Sequence, residues 1–448
     1  MDLNCIIGSF HSFLQYILNN LTDVANVVIA IAAFYIAFRQ YRNDLRKTRI
    51  ESFLFLYKQL NTNQHYILEY IENSTREFNR SVQEYLYYPD GKTYPWINKD
   101  GELLPIGRVE LEGTIVSKKA KENEKRLKRF LKFSRILPTP KNPFSANLLM
   151  YTDSHFYDAE CFCFNGISTT DEGIKIKIVK RNYYDFVNSC MPYGFDATRR
   201  YCGSQKLYSC FSLRRLFPIN QFDNRSISTG INTLVVLLNI FSEDENKLED
   251  YILLHQRGNT VTESQGNIDA VPGCTFQPTG KKNYGNDEEA LSRALKNEGI
   301  IHTITREFLE EIKSRKEFTY ATSGGLIEKD PLFSIVGGNA FYLGSGINPI
   351  NTYFELLTVL FLDFSNDNII EYFNARSINE FKKTIDPNDE GSIFIEDFTD
   401  EVLLYYEQNI KSSSALKAIC NIIRENKTIS EIVNEKYKKT IKSDSYII

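Results

Sequence analysis

The sequence predicts an α+β protein in which an N-terminal transmembrane helix and a helical stalk precede a domain built on a mixed sheet. Three observations predict it. An uncharged run at residues 24–38 is followed at once by a basic cluster, residues 42–88 contain no proline or glycine, and strand-like runs rich in aromatic residues begin after residue 155. With 448 residues the chain exceeds the usual size of a single core, so two or more folded units are expected.

The apolar run VANVVIAIAAFYIAF at residues 24–38 predicts a membrane anchor. Extended to residues 21–41, it approaches the ~20 residues that cross a bilayer, because the flanking arginine can snorkel to the surface. Basic residues follow the run, while Asp2 and Asp23 precede it, so the positive-inside rule places the remaining chain in the cytoplasm, at the inner (cell) membrane. The alternatives are a buried core helix and a signal peptide, whose charges have the opposite order. Residues 5–18 either lie in the membrane interface or form the first half of a helical hairpin. The sequence is therefore compatible with one membrane span or with two.

Composition shifts divide the chain into four parts. The parts are an anchor (1–41), a helical stalk (42–143), a sheet domain with an N-terminal extension (144–428), and a C-terminal tail (429–448). The stalk includes a hairpin (88–105) and a basic helix (118–135). The stalk either mediates self-association or packs on its own globular domain. The basic helix either contacts anionic lipid headgroups or remains solvated.

Charge and cysteine usage exclude some classes of function. A net charge of -4 and a pI near 5.9 give no overall attraction to polyanions, so no duplex nucleic acid is expected as a partner. The eight cysteines and five histidines lack the spacing of zinc ligands. We therefore expect buried, reduced thiols rather than a zinc site.

The second half of the chain has a recognisable order of elements. The runs INTLVVLLNIF (231–241) and DYILLHQRG (250–258) predict two strands, a Pro-Gly turn follows at residues 272–273, and TITREFLEEIKS (303–314) predicts a helix. Residues 332–364 supply further strands around glycine turns. Two strands, a turn and an acidic helix are therefore expected to lie in one sheet-based unit.

The acidic helix predicts a metal site. Glu307, Glu310 and Glu311 stand at i, i+3 and i+4, so in an α-helix their carboxylates share one face. Carboxylate oxygens are the ligands that Mg²⁺ or Mn²⁺ prefers. Arg306 neutralises part of this charge. The alternative is a solvated acidic face.

This order of elements resembles the Nudix family, whose sequence box ends in R-E-U-x-E-E-x-G-U, with U a bulky apolar residue. Arg306, Glu307, Phe308, Glu310 and Glu311 match that half of the box. The resemblance implies a mixed-sheet α/β/α sandwich. It also implies these roles: metal ligands Glu307, Glu310 and Glu311, catalytic residues Glu310 and Glu311 if the protein is active, and ligand-binding residues Arg257, Gly273, Cys274 and Arg306. Glu355 is either a further carboxylate near the metal or a strand residue facing solvent.

The first half of the box departs from the family. Cys274 stands where a second glycine is usual, and about 30 residues separate the turn from Arg306. Glu298 has the spacing of the early glutamate, but Ser292 occupies the position of the box glycine. Lys313 and Ser314 replace the last glycine and aliphatic residue. A split or degenerate box favours binding without turnover.

A membrane helix joined to such a domain resembles the transmembrane-Nudix effectors of bacterial cyclic-oligonucleotide antiphage systems. The resemblance implies a sensor of a nucleotide second messenger that triggers disruption of the lipid bilayer and acts as a homo-oligomer. One alternative is a membrane-anchored, Mg²⁺-dependent hydrolase of nucleoside diphosphate derivatives, since the three glutamates are present. A second alternative is a non-enzymatic membrane adaptor.

Overall fold

The computed structural model describes most of the chain between residues 11 and 425. The described residues are 11–13, 15–16, 18–77, 103–134, 136–152, 158–169, 173–207, 209, 212–217, 227–244, 246–258, 266–277, 288–297, 299–313, 326–385 and 391–425. The expected hairpin, up to residue 102, and the C-terminal tail lie outside them, as do Glu298 and Ser314.

Helices surround a central sheet. The helices are α1 (Leu21–Thr62), α2 (Gln64–Glu77), α3 (Lys118–Phe133), α4 (Phe144–Tyr151), α5 (Tyr183–Ser189), α6 (Met191–Cys202), α7 (Leu213–Leu216), α8 (Glu288–Asn297), α9 (Ile300–Glu307), α10 (Pro331–Asn339), α11 (Asp367–Phe373), α12 (Ile378–Lys382), α13 (Asp400–Gln408) and α14 (Ser414–Glu425). A π-helical turn (Phe308–Ile312) continues α9 directly.

One mixed, curved sheet contains all the strands of the described residues. The strands are β1 (Leu104–Pro105), β2 (Val109–Thr114), β3 (Glu160–Thr169), β4 (Ile174–Asn182), β5 (Ile227–Phe241), β6 (Leu248–Arg257), β7 (Ile268–Ala270), β8 (Gly273–Thr275), β9 (Ala340–Ile347), β10 (Phe354–Asp363) and β11 (Gly391–Asp397). The main order is β1-β9-β10-β5-β3-β4-β2, with β6 and β8 also paired to β5, and β7 and β11 paired to β6. The protein is therefore α+β.

The prediction of an N-terminal transmembrane helix is wrong. No helix in the described part of the chain is long and apolar enough to cross a membrane. Helix α1 is long, but its uncharged run at residues 24–38 rises only about 22 Å, against ~30 Å for the hydrocarbon core. The same helix then continues without a break through Arg39, Arg42 and Arg46, so charged residues occupy the turns that a span requires to be apolar.

The central strand β5 is buried on both faces, which explains its nearly continuous apolar sequence. Val235 and Leu237 pack in the cluster that contains Phe308 of the π-turn. The alternating Leu234 and Val236 pack in the cluster that contains Leu416 of α14. Helices therefore cover both faces of this part of the sheet, with α9 on one side and α14 on the other.

Helix α1 both projects from the protein and packs against it. Phe53, Leu56 and Leu60, in its C-terminal half, are buried in the main core, and α1 contacts α6. Residues 28–45 include large apolar side chains that are exposed, among them Ile31 and Phe34. The basic helix α3 also packs on its own protein, since Leu127 and Leu131 are buried.

Phe53 tests the docking of α1. It is 0% exposed and its ring lies 4.9 Å from that of Phe195 and 5.9 Å from that of Phe144. We expect Phe53→Ala to lower the free energy of unfolding by about 3–5 kcal/mol, because it leaves a cavity in the core. The matched control is Phe55→Ala, two residues along the same helix and 50% exposed, which should change it by less than about 0.5 kcal/mol. Denaturant unfolding measures both, and equal effects would mean that α1 is not docked as described.

Candidate functional site

The candidate site forms where β8 meets the turn after α9. Strand β8 pairs with the start of β5, with Gly273 opposite Asn232. The backbone N–H of Gly273 donates to Oε2 of Glu311 at 3.1 Å. A Cβ at position 273 would lie 3.1 Å from the Ala270 carbonyl oxygen and 3.2 Å from Oδ1 of Asn232. A side chain at this position would therefore crowd both oxygen atoms. Glycine thus allows the close approach of this turn to Ala270 and Asn232.

Arg306 and Glu307 form a buried ion pair at the end of α9. Both side chains are buried, and Nη2 of Arg306 donates to Oε1 of Glu307. Burial alone lowers the pKa of the Arg306 guanidinium, but the negative charges of Glu307 and Glu310 raise it, and the net shift is upward. The Arg306 guanidinium therefore stays charged, and it lies against the side chain of Glu307 inside the protein.

The π-turn changes the geometry of the three glutamates. The backbone N–H of Lys313 donates to the Phe308 carbonyl at 3.3 Å, an i→i+5 bond. A π-turn holds more residues per turn than an α-helix, so a residue at i+3, here Glu310, points further away from residues i and i+4, here Glu307 and Glu311. Glu307 and Glu311 are buried, whereas Glu310 is half-buried.

Cys274, in β8, lies next to the ion pair. Burial raises the pKa of its thiol, and the carboxylates of Glu307 and Glu311 raise it further while Arg306 opposes them. The thiol is therefore protonated at neutral pH and is a poor nucleophile.

The structure brings together five of the residues expected in the site: Gly273, Cys274, Arg306, Glu307 and Glu311. Glu310 is close enough to raise the pKa of Arg306, although burial lowers it. Arg257 is held elsewhere: it lies at the end of β6, and its Nη1 is 3.4 Å from Oδ2 of Asp269 on β7.

Arg257 belongs to a small cluster that sequence reasoning missed. His255 pairs with Asp269 across β6 and β7. Burial and the positive charge of Arg257 lower the pKa of His255 to about 4, against the opposing effect of Asp269. No spacing in the sequence indicates this cluster, because its members become neighbours only when β6 and β7 pair.

The glutamate Glu355 and the arginine Arg214 are both buried in the fold. Glu355 is 3% exposed and lies between Gly230 of β5 and Gly346 of β9, so the expectation that it faces solvent is wrong. Arg214 is buried and donates from Nη2 to the carbonyl oxygens of Pro349 and Ile350. Arg214 therefore holds the loop before β10.

Two of the three carboxylates accept hydrogen bonds from other groups of the protein in this arrangement. Within the described ranges, no group of three or more His, Cys, Asp or Glu residues is placed to hold one. An oxygen of Glu307 accepts from Arg306, and one of Glu311 accepts from the Gly273 N–H. The expected Mg²⁺ or Mn²⁺ remains a prediction.

A separate cavity adjoins the end of the helix formed by α9 and the π-turn (residues 300–312), which we call the box helix. Its volume is about 590 Å³, and its lining comes from α10 and α11, including Ser334, Asn339, Asn368 and Tyr372. Nζ of Lys313 lies 4.9 Å from the centroid of the Tyr372 ring. The residue that follows the π-turn therefore contacts the wall of this cavity.

Comparison of the chain with models of known protein families and with curated proteins found no match. The functional argument therefore depends on the residues and their geometry.

The Arg306–Glu307 pair can be tested by a double-mutant cycle. We expect Arg306→Met to lower the free energy of unfolding by about 3–5 kcal/mol, because it leaves a buried carboxylate without its cation. Glu307→Gln added to it should recover most of the loss, since the double variant buries no charge from the pair.

The control for this cycle is Arg293→Met. Arg293 lies 3.6 Å from Glu289 in an exposed pair on α8, and its loss should cost less than about 1 kcal/mol. Denaturant unfolding gives all the values. Additive effects of the two buried substitutions would contradict a direct ion pair.

Proposed function

We propose that this protein binds a nucleotide without hydrolysing it and acts as a sensor, with the nucleotide in the cavity beside the π-turn. The observation that carries the proposal is the contact of Lys313 with Tyr372, which joins the end of the Nudix-like helix to a cavity of about 590 Å³. That volume is in the range of small-molecule sites.

The lining supports a nucleotide rather than an apolar ligand. The ring of Tyr372 offers a surface for a base, and the side chains of Ser334, Asn339 and Asn368 offer hydrogen bonds to base edges and ribose hydroxyls. The cation proposed for a phosphate group is Lys313, which lies outside the lining with its Nζ over the ring of Tyr372, and the carboxylate of Glu371 also lines the cavity. The chemistry required is an aromatic base, a polar sugar and an anionic phosphate.

The state of the carboxylates supports binding over turnover. Glu307 is neutralised by Arg306, and Glu311 is hydrogen-bonded to the Gly273 backbone. Hydrolysis of a pyrophosphate needs groups that stabilise the attacking and leaving oxygens, and these carboxylates have other partners. A hydrolase is the alternative function, and an adaptor that binds no nucleotide is the second.

The lipid bilayer is not part of this proposal. The expected membrane disruption depended on a transmembrane helix, and no helix of the described residues is long and apolar enough to be one. We therefore restrict the proposal to nucleotide binding and to association between copies of the chain.

Self-association through α1 is the proposed response. Ile31, Phe34, Phe38, Tyr41 and Leu45 follow the heptad spacing of a coiled-coil seam and are 40–72% exposed. In a parallel pair of such helices, Asp44 of one copy stands at position g and Arg49 of the other at position e, where opposite charges attract. Both the apolar seam and the charge pattern are self-complementary, which favours a second copy of this chain as the partner.

The nucleotide proposal predicts binding without product. Calorimetry with the full chain and a panel of cyclic and linear nucleotides should find at least one ligand, and chromatography should recover it intact in the presence of Mg²⁺. Lys313→Gln should weaken binding about 5-fold or more, because it removes the cation beside the cavity, whereas Lys411→Gln, an exposed lysine in the turn before α14, should not.

Other outcomes identify the alternatives. Released mononucleotides that disappear in Glu310→Gln and Glu311→Gln variants would mean that the protein is a hydrolase. An absence of binding to the whole panel would favour the adaptor.

The self-association proposal predicts a charge-sensitive seam. Phe34→Glu with Phe38→Glu should convert an oligomer to a monomer in analytical ultracentrifugation, because like charges then face each other across the seam. The control is Ile36→Glu, on the same helix and 55% exposed but outside the seam, which should leave the oligomer intact. If the wild-type chain is a monomer and sediments with lipid vesicles instead, the seam has another occupant and the proposal is wrong.

A further inference from the structure

Helix α3 presents a row of lysines to a groove. Lys121, Lys125, Lys128 and Lys132 follow one another at spacings of four, three and four residues, which places them along one side of the helix. All four are exposed, and all four line a groove of about 420 Å³ between α3, α4 and α5. We call this the lysine groove.

The four lysines of this row differ from other lysines of the described residues in their ion pairing. Within the described part of the chain, none of the four lysines forms an ion pair, whereas Lys180 pairs with Glu160 and Lys382 with Glu243. The row therefore differs from surface lysines whose charge is already balanced.

The acidic residues of the groove do not balance the row. Glu124 and Asp185 both contact Arg181, whose Nη2 is 2.6 Å from Oε2 of Glu124 and whose Nε is 3.4 Å from Oδ2 of Asp185. Four lysines and one arginine against two carboxylates leave the groove with a net charge of +3. A chain with a net charge of -4 thus concentrates positive charge at one cavity.

The floor of the groove is apolar. Leu127, Leu131, Leu137 and Phe144 line it and are buried. At the rim, Oδ1 of Asn188 accepts from the backbone N–H of Ser145 at 2.9 Å, which leaves the amide NH₂ of Asn188 to donate. The best-matched ligand has several negative charges for the lysines and a flat apolar body for the floor.

We infer that the lysine groove binds a soluble nucleoside polyphosphate, with its phosphates along the lysines of α3 and its base over the leucines and Phe144. Successive lysines along α3 rise by about 4.5–6 Å, so neighbouring phosphates can each meet a different ammonium group. This site is separate from the proposed nucleotide cavity beside the π-turn, and neither depends on the other.

A lipid surface fits the groove less well. Membrane-surface helices insert an apolar face below the headgroups, but α3 packs in the core through Ala120, Leu127 and Leu131 and exposes one large apolar side chain, Phe133. The cations that remain line a concave space rather than a flat face. The observations therefore favour a compact anion that enters the groove.

The test uses the full chain and a fluorescent adenosine triphosphate analogue, followed by anisotropy at low and high salt. Lys125→Gln with Lys128→Gln should weaken binding about 10-fold, because two of the facing cations are lost. Both positions are exposed, so the fold should be retained, which circular dichroism and unfolding check. The matched control, Lys118→Gln with Arg129→Gln, removes two exposed charges from the same helix outside the groove and should change binding less than 2-fold.

Two further arms distinguish the ligand class and the site. Tripolyphosphate should compete more weakly than adenosine triphosphate, because it places nothing on the apolar floor, and Lys313→Gln should leave this binding unchanged. Equal loss in the groove variant and the control would show non-specific attraction. Equal affinity for tripolyphosphate, binding only to phosphatidylserine vesicles, or no binding of the analogue would also overturn the inference.

Discussion

The parallel pairing of β5 with β10 is the constraint on which the other elements depend. The two strands are in register from Phe354 opposite Thr229 to Asp363 opposite Leu238, and almost every residue in both is buried. Two of their hydroxyl groups meet across the pair, since Oγ1 of Thr233 lies 2.8 Å from Oγ1 of Thr358. Because both faces of this pair must be covered, α9 and α14 are held on opposite sides of the sheet, and the box helix is fixed relative to β8.

Local sequence patterns predicted the apolar strands well. The expected strands at 231–241 and 250–258 correspond to β5 (Ile227–Phe241) and β6 (Leu248–Arg257). The expectation failed at residues 332–339, where an apolar segment with two glycines forms helix α10 rather than a strand. Short apolar runs do not distinguish a buried helix from a strand, and here Asp330 caps the helix by accepting from the Leu332 N–H.

The sequence predicted that several of the candidate residues lie close together, but it did not predict their geometry. The match to R-E-x-x-E-E identified Arg306, Glu307 and Glu311, which lie together with Gly273 and Cys274. The residue pattern does not indicate the π-turn, which the structure places at Phe308–Ile312. The i, i+3, i+4 argument assumed α-helical spacing, so it predicted one shared acidic face instead of two buried carboxylates and one half-buried carboxylate.

The continuity of α1 has a mechanical consequence. About 36 Å of unbroken helix, from Leu21 to Leu45, leads directly into the segment anchored by Phe53 in the aromatic core. A continuous α-helix without proline or glycine resists bending, so it behaves as a lever with its fulcrum near Phe53. A small change in the packing of α6 against the C-terminal part of α1 therefore becomes a larger displacement of the N-terminal end of α1. A force applied to that N-terminal end is in turn transmitted to the core.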